Sequence, residues 1–202
     1  MLSLITEPKV EIIKGVRCRE RPDGKFVPTV SACLDLLFPD DGQWIPQSAL
    51  ERGERCHLWM QERLRRWDTP DHGLPDLEDQ NEQARVLAAM RWFKKQGYSP
   101  ALIEEPRFKD EWSGTVDLFA VDPKIEYPKQ NGLIVDWKFC VTLTERYRLQ
   151  GEVYRHLFPD TRRVVLVQIT EDAMVKPHVC KPNPYYWSLF LSTVNVLTWR
   201  IR

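Results

Sequence analysis

The stretch LIVDWKFC, residues 133–140, places two ionisable side chains inside an apolar run that is typical of a buried β-strand. Side chains two residues apart on a strand point to the same face, so Asp136 and Lys138 emerge together while Trp137 points to the opposite face. Buried charges are costly unless a partner compensates for them. Taken alone, the pair is explained by a structural ion pair, because Asp-x-Lys is too short to be specific.

A second carboxylate in a similar setting changes this interpretation. Asp117 lies in GTVDLF, residues 114–119, which also has the pattern of a buried strand. If the two strands pair as antiparallel neighbours, Asp117 and Asp136 converge at one end of the sheet. Adjacent carboxylates repel unless a cation lies between them, and Mg²⁺ and Mn²⁺ prefer carboxylate oxygens. The sequence therefore predicts a divalent-metal site, with Lys138 placed to hold a water or to offset charge on a phosphate.

The helix predicted after this strand carries a polar stripe. Arg146, Gln150 and Tyr154 are spaced four residues apart, so they share one helical face. Glutamine and tyrosine can position a metal-bound water or a phosphate oxygen, and arginine pairs with phosphate. The alternative is a helix that packs its tyrosine against the sheet and leaves Arg146 in solvent.

The rest of the chain predicts an α/β (α+β) fold in which helices flank a central sheet of three or four strands. We expect a short strand and a turn within residues 1–30, and a helix that begins near Thr29 and stops before Pro39. Helices are predicted over residues 47–67, 77–97 and 142–158, and strands over residues 101–110, 113–122, 131–140 and 162–170. Residues 185–202 are predicted to form a closing helix. Capping boxes are predicted at Ser48/Glu51 and Thr142/Glu145, and a left-handed cap at Gly97.

The composition bounds the class of protein. The 202 residues are expected to form one domain, with a mainly helical part (1–100), a catalytic core (101–170) and a closing segment (171–202). Basic and acidic residues number 29 each, so attraction to nucleic acid would have to come from a local patch. The sequence shows no membrane span and no secretory signal. Five cysteines without a Cys-x-x-Cys spacing indicate reduced thiols in a cytoplasmic protein.

Four short motifs stand in an order that resembles the RecB-type nucleases of the PD-(D/E)XK superfamily, and among them the phage-encoded exonucleases. The motifs are Gly53-x-x-x-His57, Gly114-x-x-Asp117, Asp136-x-Lys138 and Gln150-x-x-x-Tyr154. The resemblance extends over about residues 27 to 170 and implies a restriction-endonuclease-like core with a central mixed sheet.

The resemblance implies roles for the residues at these motifs. Asp117 and Asp136 would be the metal carboxylates, with the Trp137 carbonyl and His57 as further ligands, and Lys138 would be the catalytic lysine. Without the companion motifs, His57 would be interpreted as a histidine on a half-buried helix face. The resemblance also implies that Gln150 and Tyr154 shape the wall of the site and contact DNA, and Arg146, on the same helical stripe, is expected to contact nucleic acid as well. Glu105 falls where many relatives carry an acidic residue. Glu104 competes with Glu105 for the acidic position.

The implied function is that of a metal-dependent deoxyribonuclease, with Mg²⁺ or Mn²⁺ as cofactor and DNA, single-stranded or with free ends, as partner. An exonuclease in recombination, repair or phage DNA processing is favoured, since no recognition domain is visible. The alternatives are an endonuclease of the same fold and a non-catalytic nucleic-acid-binding subunit. A recombination partner protein or a homo-oligomer is compatible with the resemblance, as is the cytoplasm of a bacterial or phage-infected cell.

Two departures from the family pattern bear on these expectations. The superfamily often has glutamate at the position of Asp136, and the shorter aspartate still binds metal. Relatives with an iron–sulfur cluster carry three cysteines near the C-terminus, whereas only Cys180 lies beyond Gln150 here, so no cluster is expected.

Overall fold

A computed structural model describes residues 8–39, 45–69, 77, 79–124, 132–158 and 161–202. Within these ranges the helices and strands follow one another along the chain as β1 (Val10–Ile13), β2 (Val16–Glu20), β3 (Phe26–Pro28), α1 (Val30–Leu37), α2 (Gln47–Arg65), α3 (Gln80–Gln96), β4 (Ser99–Ile103), β5 (Pro106–Phe108), β6 (Ser113–Thr115), β7 (Leu118–Val121), β8 (Gly132–Lys138), α4 (Glu145–Leu157), β9 (Thr161–Ile169), β10 (Val175–Val179) and α5 (Pro184–Ile201).

The central sheet has five strands in the order β10-β9-β8-β7-β4. Strands β8 and β9 are parallel and the other neighbouring pairs are antiparallel, so the sheet is mixed. The predicted α+β arrangement is confirmed, but the sheet has more strands than the three or four predicted. Strand β10 was not predicted, because this edge strand contains Pro177, is mostly exposed and lacks an apolar run.

Successive side chains of a strand point to opposite faces of the sheet, so the hydrophobic core is divided into two clusters, one on each face. Ile134 of β8 and Val164 of β9 pack in one cluster under α1, α4 and α5. Val135 and Trp137 pack on the other face under α2 and α3, where Trp137 meets the edges of Trp92 and Phe93. Asp136 therefore points towards the α4 layer, as the period of two requires.

Two predicted strands are each interrupted in the structure. The strand predicted over residues 101–110 ends at Ile103 as β4 and resumes at Pro106 as β5, and between them Glu104 has a φ of +51°. Strand β5 pairs with β6 in a separate two-stranded sheet. The chain rejoins the central sheet only at Leu118, so Asp117 lies just before β7 and not inside a strand.

The N-terminal region also holds more strand than predicted. Residues 1–30 were expected to contain one short strand, whereas β1, β2 and β3 form a three-stranded antiparallel sheet. This sheet is tied to β6 by a hydrogen bond of 2.9 Å from Arg19 Nη1 to the Thr115 hydroxyl. Strands this short and polar give a weak periodic signal.

Of the three predicted helix caps, the one at Gly97 is confirmed, and the helix predicted to begin near Thr29 is capped by that residue. The Thr29 hydroxyl accepts a hydrogen bond from the Ala32 amide at the start of α1, and Gly97 ends α3 in the left-handed conformation. Both predicted capping boxes are wrong. Helix α2 begins at Gln47, whose side chain bonds Glu51, and helix α4 begins at Glu145, which lies three residues after Thr142. Across the described residues, no helix has the length and apolar character that crossing a membrane requires.

Candidate active site

The antiparallel pairing of β7 with β8 brings the two predicted aspartates to one end of the sheet. Leu118 is opposite Val135, so Asp117 and Asp136 each lie one residue beyond this pair. The Trp137 amide donates a hydrogen bond of 2.7 Å to Asp117 Oδ2. If the pairing of β7 with β8 continued, a backbone carbonyl would accept the hydrogen bond from this amide. The Asp117 carboxylate accepts it instead, and this bond fixes the direction of the carboxylate. The predicted antiparallel pairing is confirmed.

Three side chains from different parts of the chain converge on this end of the sheet. His57, Glu104 and Asp117 each offer a ligand atom, and these atoms lie within 4.8 Å of one another. His57 Nδ1 is 3.5 Å from Asp117 Oδ2. A group of one imidazole and two carboxylates is suited to a divalent cation.

Glu104, and not Glu105, belongs to this cluster. The left-handed backbone at Glu104 and the hydrogen bond of 3.3 Å from its amide to the Asp117 carbonyl hold this residue beside Asp117. Glu105 is exposed and forms an ion pair of 3.7 Å with Arg107. The structure therefore does not bring Glu105 into the site. Sequence spacing could not choose between the two adjacent glutamates, because the choice depends on one backbone dihedral.

Asp136 and Lys138 form a close ion pair on the α4 face of β8. Their Oδ2 and Nζ atoms are 2.6 Å apart, and the side chains are 1% and 12% exposed. The Lys138 ammonium also lies 4.7 Å from the centre of the Tyr147 ring, one turn into α4. The lysine is thus held between a carboxylate and an aromatic face beside the three-residue cluster.

The carboxyl groups of the site resist ionisation. Burial raises the pKa of Asp136 to about 6, although Lys138 acts in the opposite direction. Burial, together with the charges of Asp117 and Asp136, raises the pKa of Glu104 to about 8. Burial also raises the pKa of Asp117. Lys138 alone therefore does not offset the cost of ionising these buried carboxyl groups, and a bound cation would supply the additional positive charge.

The two basic side chains respond differently to the same surroundings. Burial acts to lower the pKa of Lys138, but the attraction of Asp136 and Asp117 outweighs it and leaves that pKa raised. Burial and the nearby Lys138 charge lower the pKa of His57 to about 4. At neutral pH the lysine is an ammonium ion and the imidazole is neutral, which is the form that binds metals.

Helix α4 supplies the polar wall of the site. Gln150 Nε2 donates a hydrogen bond of 2.7 Å to the Tyr154 hydroxyl, and the tyrosine is 5% exposed. Burial and the charges of Asp136 and Asp117 raise the pKa of Tyr154, so its hydroxyl keeps its proton. Arg146 instead pairs with Asp35 of α1, with Nη2 and Oδ1 2.6 Å apart. The structure thus aligns Gln150 and Tyr154 at the site and uses Arg146 to tie α4 to α1.

A cavity of about 390 Å³ opens beside the acidic cluster, and sequence reasoning missed several of its lining residues. Glu104, Tyr154 and Gln61 line it on the side of the cluster, and Arg17 and Arg19 line it from β2. Gln61 lies one helical turn after His57, a spacing that could have identified it. The arginines carry no such signal, because the β2 strand approaches the site only through tertiary structure.

The fold is similar to that of two solved exonuclease structures. The alkaline exonuclease LHK-Exo of Laribacter hongkongensis is 10% identical, with a TM-score of 0.50 and 87% of each chain covered. A protein of Eubacterium rectale that is assigned as an exonuclease is 14% identical, with a TM-score of 0.50, covering 86% of this chain and 79% of the other. No family model and no curated protein matches the sequence. The chain thus shares the fold that the motif resemblance implied.

Proposed function

We propose that this chain is a metal-dependent deoxyribonuclease that hydrolyses phosphodiester bonds, acting as an exonuclease in recombination, repair or phage DNA processing. The observation that carries this proposal is the meeting of the His57–Glu104–Asp117 cluster with the Asp136–Lys138 pair at one end of the sheet. A structural ion pair alone would not require a second group of carboxylates beside it. The similarity in fold to two exonuclease structures supports the same reaction class.

The residues present fit a divalent cation. Glu104 and Asp117 would hold it through carboxylate oxygens and His57 through a ring nitrogen, with Asp136 and the Trp137 carbonyl completing the site. When bound, such an ion polarises the phosphate and lowers the pKa of a water. One nitrogen ligand softens the set slightly, so Mn²⁺ is expected to support activity at least as well as Mg²⁺.

The remaining side chains would orient the reacting groups. The Lys138 ammonium, which is held by its ion pair with Asp136, would hold a water and offset negative charge that develops on the phosphate. The Gln150 and Tyr154 pair can donate to a phosphate oxygen from the α4 side. Arg17 and Arg19 in the adjoining cavity can pair with phosphates of the bound strand.

The test is digestion of end-labelled single- and double-stranded DNA with Mg²⁺, Mn²⁺ or EDTA. We expect cleavage from an end with either metal and none with EDTA. Absence of cleavage with both metals on every substrate would overturn the proposal. Internal cleavage of circular DNA would favour an endonuclease.

Lys138→Ala separates an enzyme from a binding subunit. Cleavage should fall by about 100-fold or more, because the ammonium acts on charge that develops in the transition state, while DNA binding is retained. Lys138→Gln serves as a second variant, since it leaves buried Asp136 a hydrogen-bond donor. A melting curve close to that of the wild type verifies that either variant is folded. Unchanged cleavage in both variants would remove Lys138 from the mechanism.

A further inference from the structure

Positive charge is segregated at the C-terminal end of this neutral chain. Residues 173–202 contain Lys176, Lys181, Arg200 and Arg202, and they contain no Asp or Glu. The whole chain, by contrast, has equal numbers of basic and acidic residues. The same segment is rich in aromatic residues, which are clustered at the start of α5. None of these four basic residues belongs to the His57–Glu104–Asp117 cluster.

Strand β10 presents part of this charge on the face of the sheet that carries Asp136 and Lys138. The register aligns Lys138, Gln168 and Lys176 in one row across β8, β9 and β10. The next row joins Asp136, Leu166 and His178. Neighbouring strands are about 4.8 Å apart, so β10 lies about 10 Å from the strand that carries the catalytic lysine.

A groove of about 490 Å³ lies between β10, α4 and α5 on this face, and we call it the β10–α5 groove. The polar part of its lining consists of Arg148, His178, Lys181, Asn183 and Tyr186. None of the described residues that line it is an Asp or a Glu. Glu145 lies at the start of α4, where it pairs with Arg148 at 3.5 Å and accepts a hydrogen bond from the Tyr186 hydroxyl.

The groove and the active site are joined around the N-terminal end of α4. Leu143, five residues after Lys138, lines the groove, and Tyr147 of α4 contacts the Lys138 ammonium. Arg148, the next residue, faces the groove. A polymer bound at Lys138 can therefore continue past Tyr147 into the groove.

We propose that the β10–α5 groove binds a single nucleic-acid strand that runs to or from the active site. Arg148 and Lys181 would contact its phosphates and Lys176 would extend the basic track along β10, while Tyr185, 70% exposed and 6.3 Å from the Tyr186 ring, offers a stacking surface. Aromatic side chains beside a basic groove are the usual means by which proteins stack with unpaired bases, so the proposed occupant is a single strand and not a duplex. This inference rests on the proposed nuclease function, which supplies the substrate.

The experiment compares the affinities of two fluorescein-labelled ligands, an oligothymidylate and a blunt duplex of equal length, by anisotropy. Ca²⁺ replaces Mg²⁺, so that binding is measured without cleavage. The variants are Lys176→Ala/Lys181→Ala and, separately, Tyr185→Ala. The matched control is Lys94→Ala/Lys95→Ala, which removes two exposed lysines from the end of α3 in the layer on the opposite face of the sheet.

Both groove variants should weaken binding of the single strand by about five- to tenfold, and duplex binding by less than about twofold. The lysine pair should also reduce the slope of log affinity against log salt by about 1.4, since each single-strand phosphate contact contributes about 0.7. The control should bind both ligands as the wild type does. All of these side chains are exposed, and thermal melts verify that the variants are folded.

Single-strand affinity equal to that of the control, or equal losses for single strand and duplex, would overturn the groove proposal. If the wild type shows no metal-dependent cleavage but the groove variants still lose single-strand affinity, the proposed function fails and the groove stands. If the wild type cleaves DNA and the groove variants bind normally, the groove proposal alone fails.

Discussion

Glu104 and Glu105 are neighbours in the chain but lie in opposite electrostatic surroundings. Glu104 turns inward beside Asp117 with a pKa raised to about 8 by burial and by the neighbouring carboxylates. Glu105 turns outward to Arg107 and is 53% exposed. A non-glycine residue in the left-handed region is uncommon, and here it lies at the bend between β4 and β5, where Glu104 joins His57 and Asp117.

This contrast predicts different effects of Glu104→Gln and Glu105→Gln. Loss of the metal ligand that we propose at Glu104 should lower the cleavage rate by about 100-fold and raise the Mn²⁺ concentration needed for half-maximal activity. Glu105→Gln should alter neither quantity by more than about twofold. Initial rates of label release over a Mn²⁺ titration would measure both effects. Equal losses in the two variants would remove the distinction that we draw between the two glutamates.

Helix α4 reaches its position because two glycines allow close packing. At Gly114 an added Cβ would lie 2.6 Å from Leu157 Cδ1 and 2.9 Å from Val30 Cγ2, so this glycine allows β6 to approach α4 and α1. Gly53, also part of the motif pattern, has no atom within 4 Å of such a position among the described residues. Close packing therefore explains the glycine at position 114 but not the glycine at position 53.

Gly151 plays the same role on the other side of α4, next to the site residue Gln150. An added Cβ would lie 2.5 Å from Cys180 Sγ, which is too close for any real contact. Gly151→Ala should therefore lower the free energy of unfolding by about 1–3 kcal/mol and reduce cleavage by displacing Gln150 and Tyr154. Urea denaturation and cleavage rates would show both effects.

The matched experiment removes the obstructing sulfur. Gly151→Ala/Cys180→Ala should recover stability to within about 1 kcal/mol of Cys180→Ala alone, because the helix also gains the propensity of alanine. Failure of the second substitution to rescue the first would show that the helix is positioned by other contacts.

The stability of the whole metal-free molecule should depend on pH through the site. Burial and like charge raise the pKa of Glu104 to about 8, and burial raises that of Asp136 to about 6, so the folded protein keeps protons that the unfolded chain has released. These groups lower the free energy of unfolding as pH rises towards about 8. Burial lowers the pKa of His57 to about 4, so this group raises the free energy of unfolding as pH rises. Its effect ends near its ordinary pKa of 6.5, above which the imidazole is neutral in both states.

Between pH 6.5 and about 8 the carboxyl effect remains, so the melting temperature in EDTA should fall across this window. Addition of Mn²⁺ should raise the melting temperature more at the upper end of this window than at the lower end, because metal and proton compete for the same oxygens. Thermal melts of the wild type, Glu104→Gln and Glu105→Gln would measure this. A pH profile in Glu104→Gln as steep as that of the wild type would contradict our assignment.

The sequence determined the local part of this architecture. Its period of two set Asp136 and Lys138 on one face and Trp137 on the other, its helical periodicity identified the long helices, and the motif order indicated the fold. The tertiary structure decided which glutamate joins the cluster, added β10 to the sheet, and placed Arg17 and Arg19 at one cavity and Lys181 at another. These features depend on single dihedral angles and on pairings between distant segments, and neither leaves a periodic trace in the chain.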